Sequence, residues 1–100
     1  MLTTKSILTT LRQEFPYFET KYGVKKLGLF GSYAKETYHS HSDVDIVVEF
    51  KKPIGLQFVE LADDIEQLLH KKIDLLTLDS LKSIRAKSVA KSIEENIIYV

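Results

Sequence analysis

The chain has no cysteine, which excludes a disulfide framework, a thiol nucleophile and cysteine-based zinc sites, and which fits a cytoplasmic protein. Only four glycines and two prolines occur in 100 residues, too few for a collagen-like chain or a disordered linker. Neither sign of charge is in excess, with 14 Lys plus Arg against 14 Asp plus Glu. No net field therefore draws the molecule onto DNA, RNA or an anionic membrane, and no direct nucleic-acid binding is expected. Long apolar runs are missing too, whereas a membrane-spanning helix needs about 20 such residues. Near the N-terminus, Lys5 and Arg12 break up the apolar positions and no small-residue cleavage site follows, so neither a signal peptide nor a membrane partner is expected.

What remains is an ordinary globular composition, 44% hydrophobic and 28% charged, in a length that suits a single domain over residues 1–100. Ile7, Leu8, Leu11 and Phe15 recur at helical spacing behind Thr3 and Thr4, either of which can cap the helix. Pro16 stops or restarts that helix, and a second short piece runs to Tyr22 with Gly23 as its stop. Val24 to Phe30 is a first strand, ending at Gly31-Ser32, with a helix start at Tyr33-Ala34. In Asp43 to Phe50, Val44, Ile46, Val48 and Phe50 share one face of a strand, and Asp43, Asp45, Val47 and Glu49 share the other. Phe58, Leu61, Ala62, Ile65, Leu68 and Leu69 make an amphipathic helix that ends near His70. A third strand, KIDLLTL, carries Asp74. Asp79 or Ser80 then caps a last helix bearing Leu81, Ile84, Val89 and Ile93, and the tail IIYV reads as a short edge strand. The fold class expected is α/β (α+β), a small mixed sheet with helices packed largely on one face.

The chemistry concentrates in one stretch. Side chains two apart on a strand point the same way, so Asp43 and Asp45 set two carboxylates on one face, roughly 6 to 7 Å apart. At an effective dielectric of about 20, two unit charges that close repel by roughly 3 kcal/mol. A hard divalent cation relieves this, and Mg²⁺ usually takes one or two protein carboxylates and completes its shell with waters and substrate phosphates. Gly31-Ser32, at the end of a strand, offers a close backbone approach and a hydroxyl for those phosphates. His39 and His41 sit in a polar loop without a third soft ligand, and Glu60, Asp63, Asp64 and Glu66 form an acidic face that reads as solvated.

The block GLFGSYAKETYHSHSDVDIVVEF, with its pattern G-S-x10-D-x-D, resembles the signature of the polymerase-beta-like nucleotidyltransferase superfamily, most closely its minimal nucleotidyltransferase branch. The resemblance continues through KKIDLLTLDSL. It implies that Gly31, Ser32 and Lys35 hold the nucleotide, that Asp43 and Asp45 bind Mg²⁺, one ion or two, and that Asp74 is the third carboxylate of the metal and catalytic set. The implied reaction moves a nucleoside monophosphate, AMP from the co-substrate ATP, onto a hydroxyl with release of pyrophosphate. Two metals would clamp the attacking and leaving oxygens, and Asp74 could take the acceptor's proton. Where many relatives carry Ala-Arg-Gly, this chain has Ala34-Lys35-Glu36, which trades a bidentate fork for a point charge and adds a carboxylate beside the phosphates.

Only about 25 residues follow the third strand, so the platform for the acceptor is expected from a second copy or from another protein. Relatives commonly accompany a helical HEPN-domain protein as a toxin–antitoxin pair, and this implies adenylylation of a tyrosine on such a partner. The alternative is a non-catalytic nucleotide-binding module that silences its partner by occlusion, which Glu36 favours. A cationic stripe of Lys82, Arg85, Lys87 and Lys91 could steer the triphosphate, but reads more simply as a solvated helix face.

Overall fold

The computed structural model describes residues 2–83 and 96–100. Thr3 opens the first helix, α1 (Thr4–Tyr22), through a capping box in which its side chain accepts from Ser6 N–H while Ser6 Oγ accepts from Thr3 N–H. The helix runs unbroken past Pro16, where the sequence predicts a stop. Its buried residues Ile7, Leu11, Phe18 and Tyr22 lie on one face, and burying each is worth roughly 1.5 to 3 kcal/mol. Pro16 falls on the exposed face, where water can meet the carbonyl that the missing N–H leaves unpaired. Gly23 closes the helix at φ 71°, donating its N–H to the Glu19 carbonyl.

Three further strands and helices follow in alternation: β1 (Val24–Phe30), α2 (Gly31–Lys35), β2 (Val44–Phe50), α3 (Gln57–Leu69), β3 (Ile73–Thr77) and α4 (Leu78–Lys82), with β4 (Ile98–Tyr99) last. The sheet order is β3-β2-β1-β4. β1 is antiparallel to both β2 and β4, and β2 is parallel to β3 across the α3 connection, so the sheet is mixed as expected. Val24 and Leu27 both enter the core although they stand three apart. Strand geometry alternates with period two, and a shift of register between Val24 and Lys26 absorbs the odd residue.

The main core lies between the sheet and the pair α1 and α3, built from Ile7, Leu11, Phe18, Leu27, Leu29, Val44, Ile46, Val48, Leu61 and Ile65. On the opposite face a smaller cluster joins Phe30 and Val47 to Leu78 and Leu81 of α4. Val47 therefore shares the face of Asp43 and Asp45, as the alternation predicts, but is covered rather than solvated. Two helix starts come earlier than the sequence reading has them. α2 begins at Gly31 rather than Tyr33, and α4 begins at Leu78 because Thr77, not Asp79 or Ser80, is its cap, accepting from Ser80 N–H at 3.0 Å. Ile84, Val89, Ile93 and the cations Arg85, Lys87 and Lys91 lie outside the described residues. IIYV does end in the edge strand expected of it, paired to Gly28 and Leu29. No helix among the described residues is long and apolar enough to cross a membrane.

Candidate active site

Asp45 is the second residue of β2, a central strand, and this alone determines its neighbours. On one side it registers with Phe30, the last residue of β1, and on the other with Asp74 of β3. Paired residues of adjacent strands project from the same face, so Asp45 and Asp74 stand side by side, next to the apolar cluster of Phe30 and Val47. Asp43, two residues back along the chain, projects toward the same side. The three carboxylates named from sequence are therefore brought to one end of the sheet, Asp43 and Asp45 partly buried and Asp74 exposed.

The chain leaves β1 beneath Asp45. Gly31 takes φ 71°, and a Cβ built there would lie 2.1 Å from Asp45 Oδ2 and 2.9 Å from its Cγ. Both the left-handed backbone and the missing side chain are needed at this position. Ser32, partly buried, is next, and its carbonyl accepts from Thr37 N–H at 2.9 Å. Lys35 ends α2 exposed, and Glu36 follows at φ 58°. That left-handed conformation is one glycine adopts freely and other residues adopt at a cost of about 1 kcal/mol, so a glycine would suit this position.

Burial pushes the Asp45 carboxyl up to about 6, helped by the charges of Asp74 and Asp43 and by a hydrogen bond with Asp74. Without a cation, these acids sit together most easily with Asp45 protonated, a state favoured below about pH 6. The donor set is all oxygen, and among the described residues no lysine or arginine forms an ion pair with it, which fits a hard divalent ion. Among the described residues, no three acidic or imidazole side chains close into a cage that would hold a metal unaided. An ion at Asp43 and Asp45 would thus take the rest of its shell from water and phosphate, as Mg²⁺ ordinarily does.

The surroundings were less legible. The loop from Thr37 to Asp43 is folded on itself, with His39 N–H donating to Ser42 Oγ at 3.0 Å and Ser42 N–H to the His39 carbonyl at 3.0 Å. His39 and His41 are exposed, as expected. Tyr33 and Tyr38 stack on each other with ring centroids 4.2 Å apart. Thr4, the buried polar residue of α1, donates its hydroxyl to the Tyr33 carbonyl and so anchors α2 from 29 residues away. The acidic face of α3 is not simply solvated: Glu60 pairs with Lys21, Asp64 accepts from the Tyr22 hydroxyl, and Glu66 accepts from Ile73 N–H.

Known proteins resemble the chain in sequence and in fold. The nucleotidyltransferase domain family matches residues 6–100. A Methanocaldococcus jannaschii chain, MJ1379, provisionally named a protein adenylyltransferase, is 42% identical over 103 residues and is matched along the whole of both chains. The protein adenylyltransferase MntA of Thermococcus cleftensis is 38% identical over 97 residues, covering 96% of this chain and 91% of its own. Among solved structures, a toxin–antitoxin crystallised with AMP-PNP is 31% identical with a TM-score of 0.56, covering 79% of this chain and 60% of that one. A structure described provisionally as a minimal nucleotidyltransferase superposes with a TM-score of 0.74 over 97% of this chain and 95% of its own, and at 20% identity it speaks to the fold alone.

Proposed function

The chain belongs to the nucleotidyltransferase domain family, and on that premise we propose that it transfers AMP from ATP to a tyrosine hydroxyl of a helical HEPN-domain partner, acting as the antitoxin of a toxin–antitoxin pair. The observation that carries the reading is Asp45, set between Asp74 and the bare backbone of Gly31. In the reaction the acceptor oxygen bonds to the α-phosphorus of ATP, the bond from that phosphorus to the bridging oxygen breaks, and pyrophosphate leaves. The acceptor's proton passes to Asp74, the exposed carboxylate of the three. Gly31 and Ser32 hold the phosphates by backbone N–H and hydroxyl, with Lys35 supplying charge from the end of α2. Mg²⁺ held by Asp43 and Asp45, with Asp74 beside them, would offset the charge of the phosphates and of the departing pyrophosphate.

Relatives named protein adenylyltransferases and the toxin–antitoxin structure with AMP-PNP support the reading. Incubated with ATP, Mg²⁺ and the protein encoded by the adjoining reading frame, the purified chain should make that protein heavier by one AMP. No mass shift with any divalent metal rejects transfer. One feature favours a second reading, neutralisation by occlusion: Glu36 adds a carboxylate directly after the phosphate-binding helix. Asp43→Asn with Asp45→Asn separates the two, because neutralisation that survives these changes belongs to occlusion, and neutralisation that vanishes while the complex persists belongs to chemistry.

A further inference from the structure

β3 is a five-residue strand at the edge of the sheet, and Asp74 is its second residue. Its first residues are held on one side by β2 and by the buried side chain of Ile73. Val44 N–H donates to the Lys72 carbonyl at 3.2 Å, and in a parallel ladder this leaves the Ile73 amide facing away from β2. Glu66, one turn before the end of α3, accepts that amide through Oε2 at 3.0 Å in a partly buried contact. Only His70, Lys71 and Lys72 separate α3 from β3, and His70 turns the chain at φ 54°. The same connector sends Lys71 Nζ to the Ser40 carbonyl at 3.1 Å, in the loop that leads to Asp43.

We propose that Glu66 is a positioning residue for AMP transfer: by tying the Ile73 amide to α3, it holds the start of β3 in register so that the Asp74 carboxylate stays beside Asp45. The inference rests on the transfer reading above and extends it to a side chain that touches neither substrate nor metal. Gly31, Ser32, Asp43 and Asp45 lie on other elements, so loosening β3 should slow the chemistry while leaving nucleotide binding alone.

The test uses Glu66→Ala and Glu66→Gln in the full chain, with ATP, Mg²⁺ and the protein of the adjoining reading frame as acceptor. Alanine should lower kcat about 10- to 100-fold with KM for ATP within about twofold of wild type. Glutamine keeps an oxygen that can accept the amide and should restore most of the rate. Amide exchange supplies a readout independent of turnover: in Glu66→Ala the amides of Ile73 and Asp74 should exchange faster while that of Ile46 is unchanged. A wild-type kcat in Glu66→Ala overturns the proposal. So does a Glu66→Gln variant as slow as alanine, or a rise in KM for ATP in step with a lower Tm, which would indicate general support of the fold. A wild-type chain that labels nothing counts against the transfer reading instead, and unchanged exchange at Ile73 and Asp74 would then still dispose of the tie.

Discussion

Replacing Asp45 with asparagine should make the metal-free protein more stable at neutral pH while removing its activity. Burial, followed by the neighbouring Asp74 and Asp43, raises this carboxyl from an ordinary 3.8 to about 6. Full ionisation against that preference corresponds to about 3 kcal/mol by linkage, and solvent screening of a side chain that is only partly buried reduces it to roughly 1 to 2 kcal/mol. The sign follows from proton affinity. The folded state binds the proton more tightly than the unfolded one, so wild type loses stability as pH rises from about 4 through about 6 and has lost this contribution in full above that. Asparagine has no charge to suppress and still offers an N–H to Asp74. For a chain of this size, 1 kcal/mol moves Tm by about 4 to 8 °C, so Asp45→Asn should melt roughly 5 to 10 °C higher at pH 8. Thermal and urea unfolding in EDTA from pH 4 to 8 would check this: the two proteins should nearly coincide at pH 4 and separate above it. Added Mg²⁺ should stabilise wild type more than the variant and narrow the gap. A variant no more stable than wild type at pH 8, or a gap indifferent to pH, would refute the claim that these carboxylates crowd one another.

Two other substitutions probe the turn below Asp45. Gly31→Ala places a methyl group 2.1 Å from Asp45 Oδ2 and forces a left-handed residue to carry a Cβ; a loss of roughly 1 to 3 kcal/mol in urea unfolding and of about 100-fold in AMP transfer is expected, and a near-wild-type protein would show that the acid and the turn are not in contact. Glu36→Gly relieves a positive φ at the end of α2, and after the unfolded-state entropy of glycine is subtracted it should be neutral to about 1 kcal/mol more stable. Its KM for ATP should fall as a carboxylate leaves the phosphate turn, and a rise would mean that Glu36 assists binding.

Much of the fold is legible in the sequence. Apart from Val47, apolar and acidic residues alternate from Asp43 to Phe50, and this pattern carries both the strand and the common face of its two acids. Gly31 stood out as a strand-ending glycine, although its contact with Asp45 depends on β1–β2 register, which local sequence does not encode. Pro16 misled because a local rule about one missing N–H was outweighed by four buried side chains distributed on both sides of it. Thr77 does not stand out as a cap because β-branched threonine at the end of an apolar run reads as strand. The pairing of Asp45 with Asp74 was legible as residue types but not as a distance, since 28 residues and a whole helix intervene. Glu66 was invisible for the same reason, its partner being a main-chain amide seven positions away on another element.

The parallel pairing of β2 and β3 also constrains how this protein can vary. Strand side chains alternate, so adding or removing one residue in the turn between Leu69 and Ile73 would present an aliphatic residue to Asp45 in place of Asp74. The same slip would expel Ile73 from the core, where it is now 6% exposed. Disarming the acid pair by such an indel would therefore unseat the hydrophobic interior in the same stroke. Drift in the length of this connector has no gentle path to a stable but inert descendant, whereas a point change that leaves Ile73 seated can disarm the acids and spare the interior.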